Sequence, residues 1–295
     1  MSNPFIAARE LVRGVASRKD RAFILSKGKA LIEKGIAHTS VISIQDGTWR
    51  DCVDTTWDAN AIAAARKPSG KLVIVGEDGD VVIYLGNLKH LDEQILPAPV
   101  AIRNANAIAG YVYACGMRRQ VYKRVDEARW IDVSAPPPVE NEAVGFEDID
   151  GFSEDEVYAV GWKGEIWRRD SSQWHASPLP SNLILSAVCC ASDGKVYVGG
   201  QQGLLARGRD AAWEVVEYEE PFDLDIWDVC WYRGNLYVAT VPALFKLVGN
   251  KLEQVDFGAA KQVGCFSLSV AEDVLWSVGR DDVASFDGQR WTIYP

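Results

Sequence analysis

Apolar and polar residues follow one pattern that recurs along the whole chain. Each unit has a short apolar run ending in a small residue, a polar turn, a second alternating run, another turn, and a last run that opens with Trp or Leu. The segment "VYAVGWKGEIWRRDSSQWHAS" (157–177) shows it most clearly. Runs rich in Val, Ile, Tyr and Trp between Gly, Asp, Asn and Ser turns are typical of short β-strands. The pattern therefore predicts a repeated β unit.

The residue that opens the last run gives the repeat its period. Successive anchor positions lie 39, 42, 44, 39, 39 and 39 residues apart. These anchors are Trp49, Leu88, Trp130, Trp174, Trp213, Leu252 and Trp291. The small residues that end the apolar runs are Gly76, Gly116, Gly161, Gly200, Thr240 and Gly279. One more strand candidate precedes each apolar run, so each unit has four strands, which is the size and content of a β-propeller blade.

We therefore predict an all-β fold in which residues 1–295 form a single seven-bladed β-propeller with four antiparallel strands per blade. The predicted blades are 11–54, 55–95, 96–137, 138–181, 182–220, 221–258 and 259–295. Two details stay open. The segment "NPFIAA" (3–8) could supply an exchanged strand that closes the ring, and the extra residues 27–38 of blade one could form a short helix or a lengthened hairpin.

The segment 146–176 resembles the bacterial propeller repeat that reads V-Y-A-V-G…D-x-x-x-W, which is similar in architecture to WD-repeat and kelch propellers. The resemblance is clearest from about residue 138 to 295. It implies the fold and brings no catalytic residues. The regular Gly-His and Trp-Asp dipeptides of WD repeats are missing, since Trp227-Asp228 falls on a first strand instead.

Composition narrows the possible partners. The net charge of −10 argues against nucleic acid and anionic membranes, because both favour basic surfaces, and it makes a basic protein the natural complement. The N-terminus lacks the apolar run of a signal peptide, and no later run has the length of a membrane span, so we expect a cytoplasmic protein. The six cysteines lack C-x-x-C spacing, which favours free thiols over disulfides or zinc.

Candidate chemistry is sparse. The stretch "SIQDGTW" (43–49) comes close to the sialidase Asp-box, but the last unit reads "SFDGQRW" (285–291) at the same place, so we interpret it as the turn before the fourth strand. Asp148 and Asp150 have the spacing of some calcium loops, although they flank the core residue Ile149 on a first strand. The three histidines lie far apart, and no hydrolase or nucleotide motif occurs. We predict no catalytic site, no metal site and no cofactor.

A propeller places its loops on two faces, and sorting the residues by loop type predicts a partner site. Connections between blades share one face with the turns between second and third strands. That face collects carboxylates together with aromatic groups, which suits a basic protein partner. The predicted partner-binding residues are Trp57, Glu77, Asp78, Asp80, Glu140, Glu142, Trp162, Glu219, Glu220, Phe222, Asp223, Asp281 and Asp282.

Three functions fit these features. We favour a non-catalytic interaction protein, most concretely an immunity-type inhibitor that binds and neutralises a cognate bacterial toxin through the acidic loops. A general scaffold or adaptor of a protein complex is the first alternative. The second is a propeller enzyme or glycan binder of the sialidase kind, which would need convergent carboxylates, arginines and tyrosines in the central channel.

Overall fold

The computed structural model describes residues 4–140, 142–177, 179–258 and 263–294. Within these ranges the strands form seven four-stranded antiparallel sheets, each built from consecutive strands. Blades one to three contain β1 (Arg9–Arg18), β2 (Arg21–Gly28), β3 (Thr39–Gln45), β4 (Thr48–Thr55), β5 (Ala59–Ala65), β6 (Lys71–Gly76), β7 (Asp80–Gly86), β8 (Lys89–Gln94), β9 (Ile102–Ile108), β10 (Tyr111–Gly116), β11 (Gln120–Asp126) and β12 (Arg129–Asp132).

Blades four to seven continue the same order. They contain β13 (Phe146–Ser153), β14 (Glu156–Gly161), β15 (Ile166–Arg169), β16 (Trp174–Ala176), β17 (Leu185–Cys190), β18 (Val196–Gly200), β19 (Leu205–Arg209), β20 (Ala212–Val215), β21 (Asp228–Tyr232), β22 (Asn235–Ala239), β23 (Leu244–Val248), β24 (Lys251–Gln254), β25 (Ser267–Ala271), β26 (Val274–Val278), β27 (Val283–Phe286) and β28 (Trp291–Tyr294). The helices are α1 (Pro4–Ala7) and α2 (Lys29–Ile32), with 3₁₀ turns at Trp162–Gly164 and Gln201–Gly203. The predicted seven-bladed all-β fold is confirmed.

The first strands of successive blades contact one another in a closed ring, so they are the innermost strands. Polar side chains on these strands bond the next blade. Asp148 accepts the backbone N–H of Val188 at 2.8 Å, and Asp228 accepts that of Leu268 at 2.7 Å. These bonds satisfy backbone groups that face another blade, so they fix the spacing between blades at the centre.

The outer tryptophans join neighbouring blades, as the repeat predicts. The Trp174 indole N–H donates to the Val133 carbonyl of the preceding blade at 2.7 Å, and the Trp213 indole donates to the Ser177 hydroxyl at 3.1 Å. Their rings pack on apolar clusters that lie between blades. Each blade therefore buries its faces against its neighbours.

One predicted anchor is wrong. Leu88 lies in the turn before β8, has a positive φ of 62° and is 68% exposed. His90 occupies the anchor position instead. It pairs with Tyr84, which lies two residues before the end of β7. The prediction fails because the anchor of this blade is the polar residue His90, while the apolar residue Leu88 lies two positions earlier in the turn.

The repeated small residues are explained by a close approach of the backbone. At Gly161 an added Cβ would overlap the carbonyl oxygen of Gly145, and at Gly200 it would overlap that of Ile184. In both blades this carbonyl belongs to the segment that enters the blade. The apolar run therefore ends in glycine because the incoming chain crosses it there.

The two open details of blade one are settled. Pro4–Ala7 of the segment "NPFIAA" forms α1 and supplies no exchanged strand, while Asn3 lies outside the described residues. The ring closes by direct contacts between blades one and seven instead, because the Ser269 hydroxyl accepts the Ala16 N–H at 2.9 Å and the Arg280 carbonyl accepts the Leu11 N–H at 2.9 Å. The extra residues 27–38 hold α2, and the buried His38 accepts the Gly28 N–H on Nε2 at 2.7 Å while its Nδ1 contacts the Ile36 carbonyl.

The stretch "SIQDGTW" forms the turn between the third and fourth strands of blade one, as predicted. Asp46 and Gly47 both have positive φ, at 47° and 73°. This is the backbone that a tight two-residue hairpin requires.

Candidate functional site

The molecule has two unlike faces. We call the loop face the surface made by the connections between blades and by the turns between second and third strands. We call the turn face the opposite surface, made by the remaining turns. The loop face carries most of the large apolar side chains that are exposed among the described residues. These are Leu31, Ile32, Ile36, Leu96, Val100, Val139, Trp227 and Val241, between 37% and 76% exposed. Exposed apolar groups on one surface make the loop face the candidate site for an interaction.

Four predicted carboxylates extend from the loop face without an ion pair to any described residue. All four are exposed. They are Glu77, Asp78, Glu140 and Asp223. The first two lie on the turn between the second and third strands of blade two, and the other two lie on connections between blades. Uncompensated carboxylates of this kind attract a basic partner over a distance of about 8–10 Å.

Other predicted acidic residues are paired on the surface. Glu142 binds the Lys163 ammonium at 2.9 Å, and this hydrogen bond lowers the pKa of the Glu142 carboxyl. Asp281 binds Lys29 at 3.1 Å. The half-buried Asp282 accepts the Gly264 N–H at 3.1 Å and so holds a turn. Asp80 opens β7 and is half-buried.

The predicted aromatic residues serve the fold as well as the surface. The half-buried Trp57 ring lies against Gly76, where an added Cβ would come within 2.8 Å of it. Trp162 donates its indole N–H to Glu147 at 2.6 Å. Phe222 packs edge-on against the Phe245 ring, with centroids 5.1 Å apart. These contacts leave the three rings less available to a partner than the sequence indicates.

Two predicted residues lie apart from the rest. The Glu219 N–H donates to the Asn250 carbonyl at 3.2 Å, and Glu220 binds Lys251 at 3.1 Å. Asn250 and Lys251 belong to the outer hairpin of blade six, whose turn lies on the turn face. The long connection before β21 therefore carries these two carboxylates to the rim of the disc.

The sequence analysis missed an aromatic group near the centre of the loop face. Trp227 is 40% exposed and packs on Phe266 of the next connection, with ring centroids 5.1 Å apart. Val241, 51% exposed, lies on a turn of the same face. The repeat pattern predicts that Trp227 lies on a first strand, but β21 begins one residue later at Asp228. A tryptophan directly before a first strand was the feature of the sequence that could have indicated an exposed aromatic residue on the loop face.

The central channel contains carboxyls, but they are occupied by the fold. Burial raises the pKa of Asp148 to about 6 and that of Asp228 to about 7. It also raises the pKa of Asp150 to about 7, and this carboxyl accepts the Cys190 N–H at 2.8 Å. Because each carboxyl accepts a backbone N–H of the next blade, these residues are held as structural links.

The other candidate groups are possible metal ligands and the six cysteines. Among the described residues no group of three or more His, Cys, Asp or Glu side chains is placed to hold a metal ion. The six cysteines are free thiols, and burial raises the pKa of several of them, most strongly Cys115 and Cys189. A buried thiol with a raised pKa is a poor nucleophile. In the described part of the chain, no helix has the length and apolarity to cross a membrane.

The chain is thus a seven-bladed propeller with an acidic, partly apolar loop face. No model of a known protein family matches the chain. The chain is 42% identical to the immune protein Tsi7 of Pseudomonas aeruginosa, over 95% of each protein. It therefore belongs to the family of the Tsi7 immune protein, and the predicted immunity class is confirmed.

Solved structures support the architecture alone. A catalytically inactive virginiamycin B lyase from Staphylococcus aureus with quinupristin matches 97% of each chain with a TM-score of 0.75 at 11% identity. The WD40 β-propeller domain of Doa1 matches 93% of this chain and 91% of that one, with a TM-score of 0.70 at 12% identity. Likeness at such low identity shows the seven-bladed fold and no activity.

Proposed function

We propose that the protein neutralises a basic bacterial toxin in the cytoplasm by binding it through the loop face, without catalysis of its own. The carrying observation is that this face joins uncompensated carboxylates to an exposed tryptophan. Carboxylates such as Glu77 and Asp223 would steer a basic toxin to the surface. Trp227 would then supply the buried apolar contact that holds the complex.

Membership of an immune-protein family supports this proposal. The charges of the loop face support it further, because its cations are largely neutralised within the protein. Lys27 binds Asp58 at 2.8 Å, and Arg119 binds Glu165 at 2.6 Å. The surface that meets a partner is therefore negative.

Co-expression tests the proposal. A product of a neighbouring gene that arrests growth is produced in a bacterial host with and without the protein, and growth and complex formation by size-exclusion chromatography are measured. We expect growth to be restored and the two proteins to elute together. Stable association with a toxin that stays fully active would contradict neutralisation and would favour a scaffold role.

A further inference from the structure

A cavity of about 1000 Å³ occupies the centre of the ring and opens toward the turn face. Its walls are the innermost strands, and its mouth is formed by first turns of blades one, two and three. It extends into the cleft between blades one and two, where Phe23 and Tyr84 line it. None of the loop-face residues lines it. Its size is that of a pocket for a small molecule.

Five cations from blades one and two surround the mouth of this cavity. They are Arg18, Arg21, Arg66, Lys67 and Lys71. None of them forms an ion pair with a carboxylate of the described residues, although the protein as a whole carries a net charge of −10. Like charges gathered at one opening repel one another, so an anion bound there would relieve the repulsion.

Two of these cations are held in place by aromatic rings. The Arg21 guanidinium lies 4.5 Å from the centroid of Phe23, and the Lys67 ammonium lies 5.0 Å from that of Tyr111. The Nε atom of Arg21 is buried and has no hydrogen-bond partner among the described residues. Side chains oriented before binding lose less entropy when a ligand arrives.

Deeper in the channel the lining is polar, with one cation, Arg13, beside acidic and uncharged groups. One register position of the first strands holds Asn104, Asp148, Asp228 and Ser267, because each pairs with the residue just before the Gly or Thr that ends the apolar run of its blade. Arg13 of β1 lines the same channel. Burial raises the pKa of Asp148 and of Asp228, and the positive charge of Arg13 across the channel offsets part of this rise. The interior thus offers hydrogen-bond donors and acceptors behind a cationic mouth.

We propose that the channel binds a small phosphorylated metabolite, with its phosphate at the cationic mouth and its hydroxyl groups against the polar interior. Arg and Lys are the side chains that bind phosphate oxygens most strongly. This site lies on the turn face, so it is independent of the proposed toxin surface.

Isothermal titration calorimetry with inorganic pyrophosphate at low ionic strength tests the proposal. We expect saturable binding of one equivalent that weakens as salt is added. The double variant Arg66→Ser/Lys67→Ser should bind about tenfold or more weakly, since two phosphate contacts are lost. Both residues are exposed, so the substitutions leave the core unchanged.

The control variant Lys195→Ser/Arg290→Ser removes the same charge from exposed positions of blades five and seven. It should bind within about twofold of the unmodified protein. Equal weakening of both variants, or no saturable binding, would overturn the proposal. Binding of an acidic peptide in place of pyrophosphate would also overturn it, because the channel would then accept a protein segment.

Discussion

At the scale of single residues, the aspartates of the inner strands accept a hydrogen bond from the next blade and are buried at the same time. Asp228 must accept a backbone N–H from the next blade, yet its burial disfavours the ionised carboxylate. Asp148 and Asp150 meet the same conflict. The links between blades are therefore most stable when these carboxyls hold a proton.

This conflict predicts a dependence of stability on pH. Burial raises the pKa of Asp228 to about 7 in the folded protein, against about 3.9 in the unfolded chain. Between these values the folded state binds a proton that the unfolded state does not, so the free energy of unfolding falls as pH rises from about 4 to 7. The variant Asp228→Asn should gain about 1–2 kcal/mol relative to the unmodified protein between pH 5 and 8.

Urea unfolding at several pH values measures this difference. The control is Asp155→Asn, whose carboxylate is exposed in a turn. It should follow the unmodified protein at every pH. Parallel curves for Asp228→Asn and the unmodified protein would show that this carboxyl does not titrate on unfolding.

Trp227 carries the second prediction at this scale. Because it is exposed next to Phe266 near the centre of the loop face, Trp227→Ala should weaken toxin binding by about 2 kcal/mol or more, roughly 30-fold in Kd. Val248→Ala, on an outer strand and 42% exposed, is the control and should leave Kd unchanged. Surface plasmon resonance gives both constants, and thermal melts check folding. An unchanged Kd for Trp227→Ala would remove it from the interface.

At the scale of elements, blades three, four, five and seven each have one close crossing of the chain, at the glycine that ends the apolar run. Gly161 ends β14 where the carbonyl of Gly145 passes, so Gly161→Ala should destabilise the protein by about 2–3 kcal/mol. Gly70→Ala is the matched control, since nothing lies within 4 Å of its added Cβ. Thermal and urea unfolding measure both changes. A loss for Gly161→Ala no larger than for Gly70→Ala would mean that the crossing relaxes freely.

The sequence predicts most of the fold because the blade pattern is periodic. Strands, turns and outer tryptophans recur with the repeat, so the fold followed from them. Leu88 was misplaced because blade two has a polar anchor, His90. The side-chain links between inner strands, such as Ser269 to Ala16, join residues 253 positions apart and leave no local pattern.

The site was less predictable than the fold. Loop type assigned Glu77 and Asp223 to the loop face, but it could not show that Glu219 turns back to the rim. It also could not separate the packed Trp57 from the exposed Trp227, because both stand just before a first strand. Burial of a loop residue depends on the path of a neighbouring loop, and that path is not repeated from blade to blade.

At the scale of the whole molecule, charge divides the protein into two surfaces. The loop face is acidic and partly apolar, while five cations without an ion pair to any described residue lie at the channel mouth on the turn face. A net charge of −10 conceals this division. We therefore expect a toxin on one face and a small phosphorylated molecule at the other.

Charge reversal tests whether the toxin binds through the loop face. The measured quantity is the dissociation constant of the toxin complex for a loop-face variant and for a control variant. The loop-face variant combines Glu77→Lys, Glu140→Lys and Asp223→Lys. The control variant combines Glu127→Lys, Asp155→Lys and Glu253→Lys, which lie in turns of the turn face or on an outer strand. Both change the net charge equally. We predict that Kd rises about 100-fold or more for the first variant and about threefold or less for the second. Equal effects of the two variants would contradict binding through the loop face.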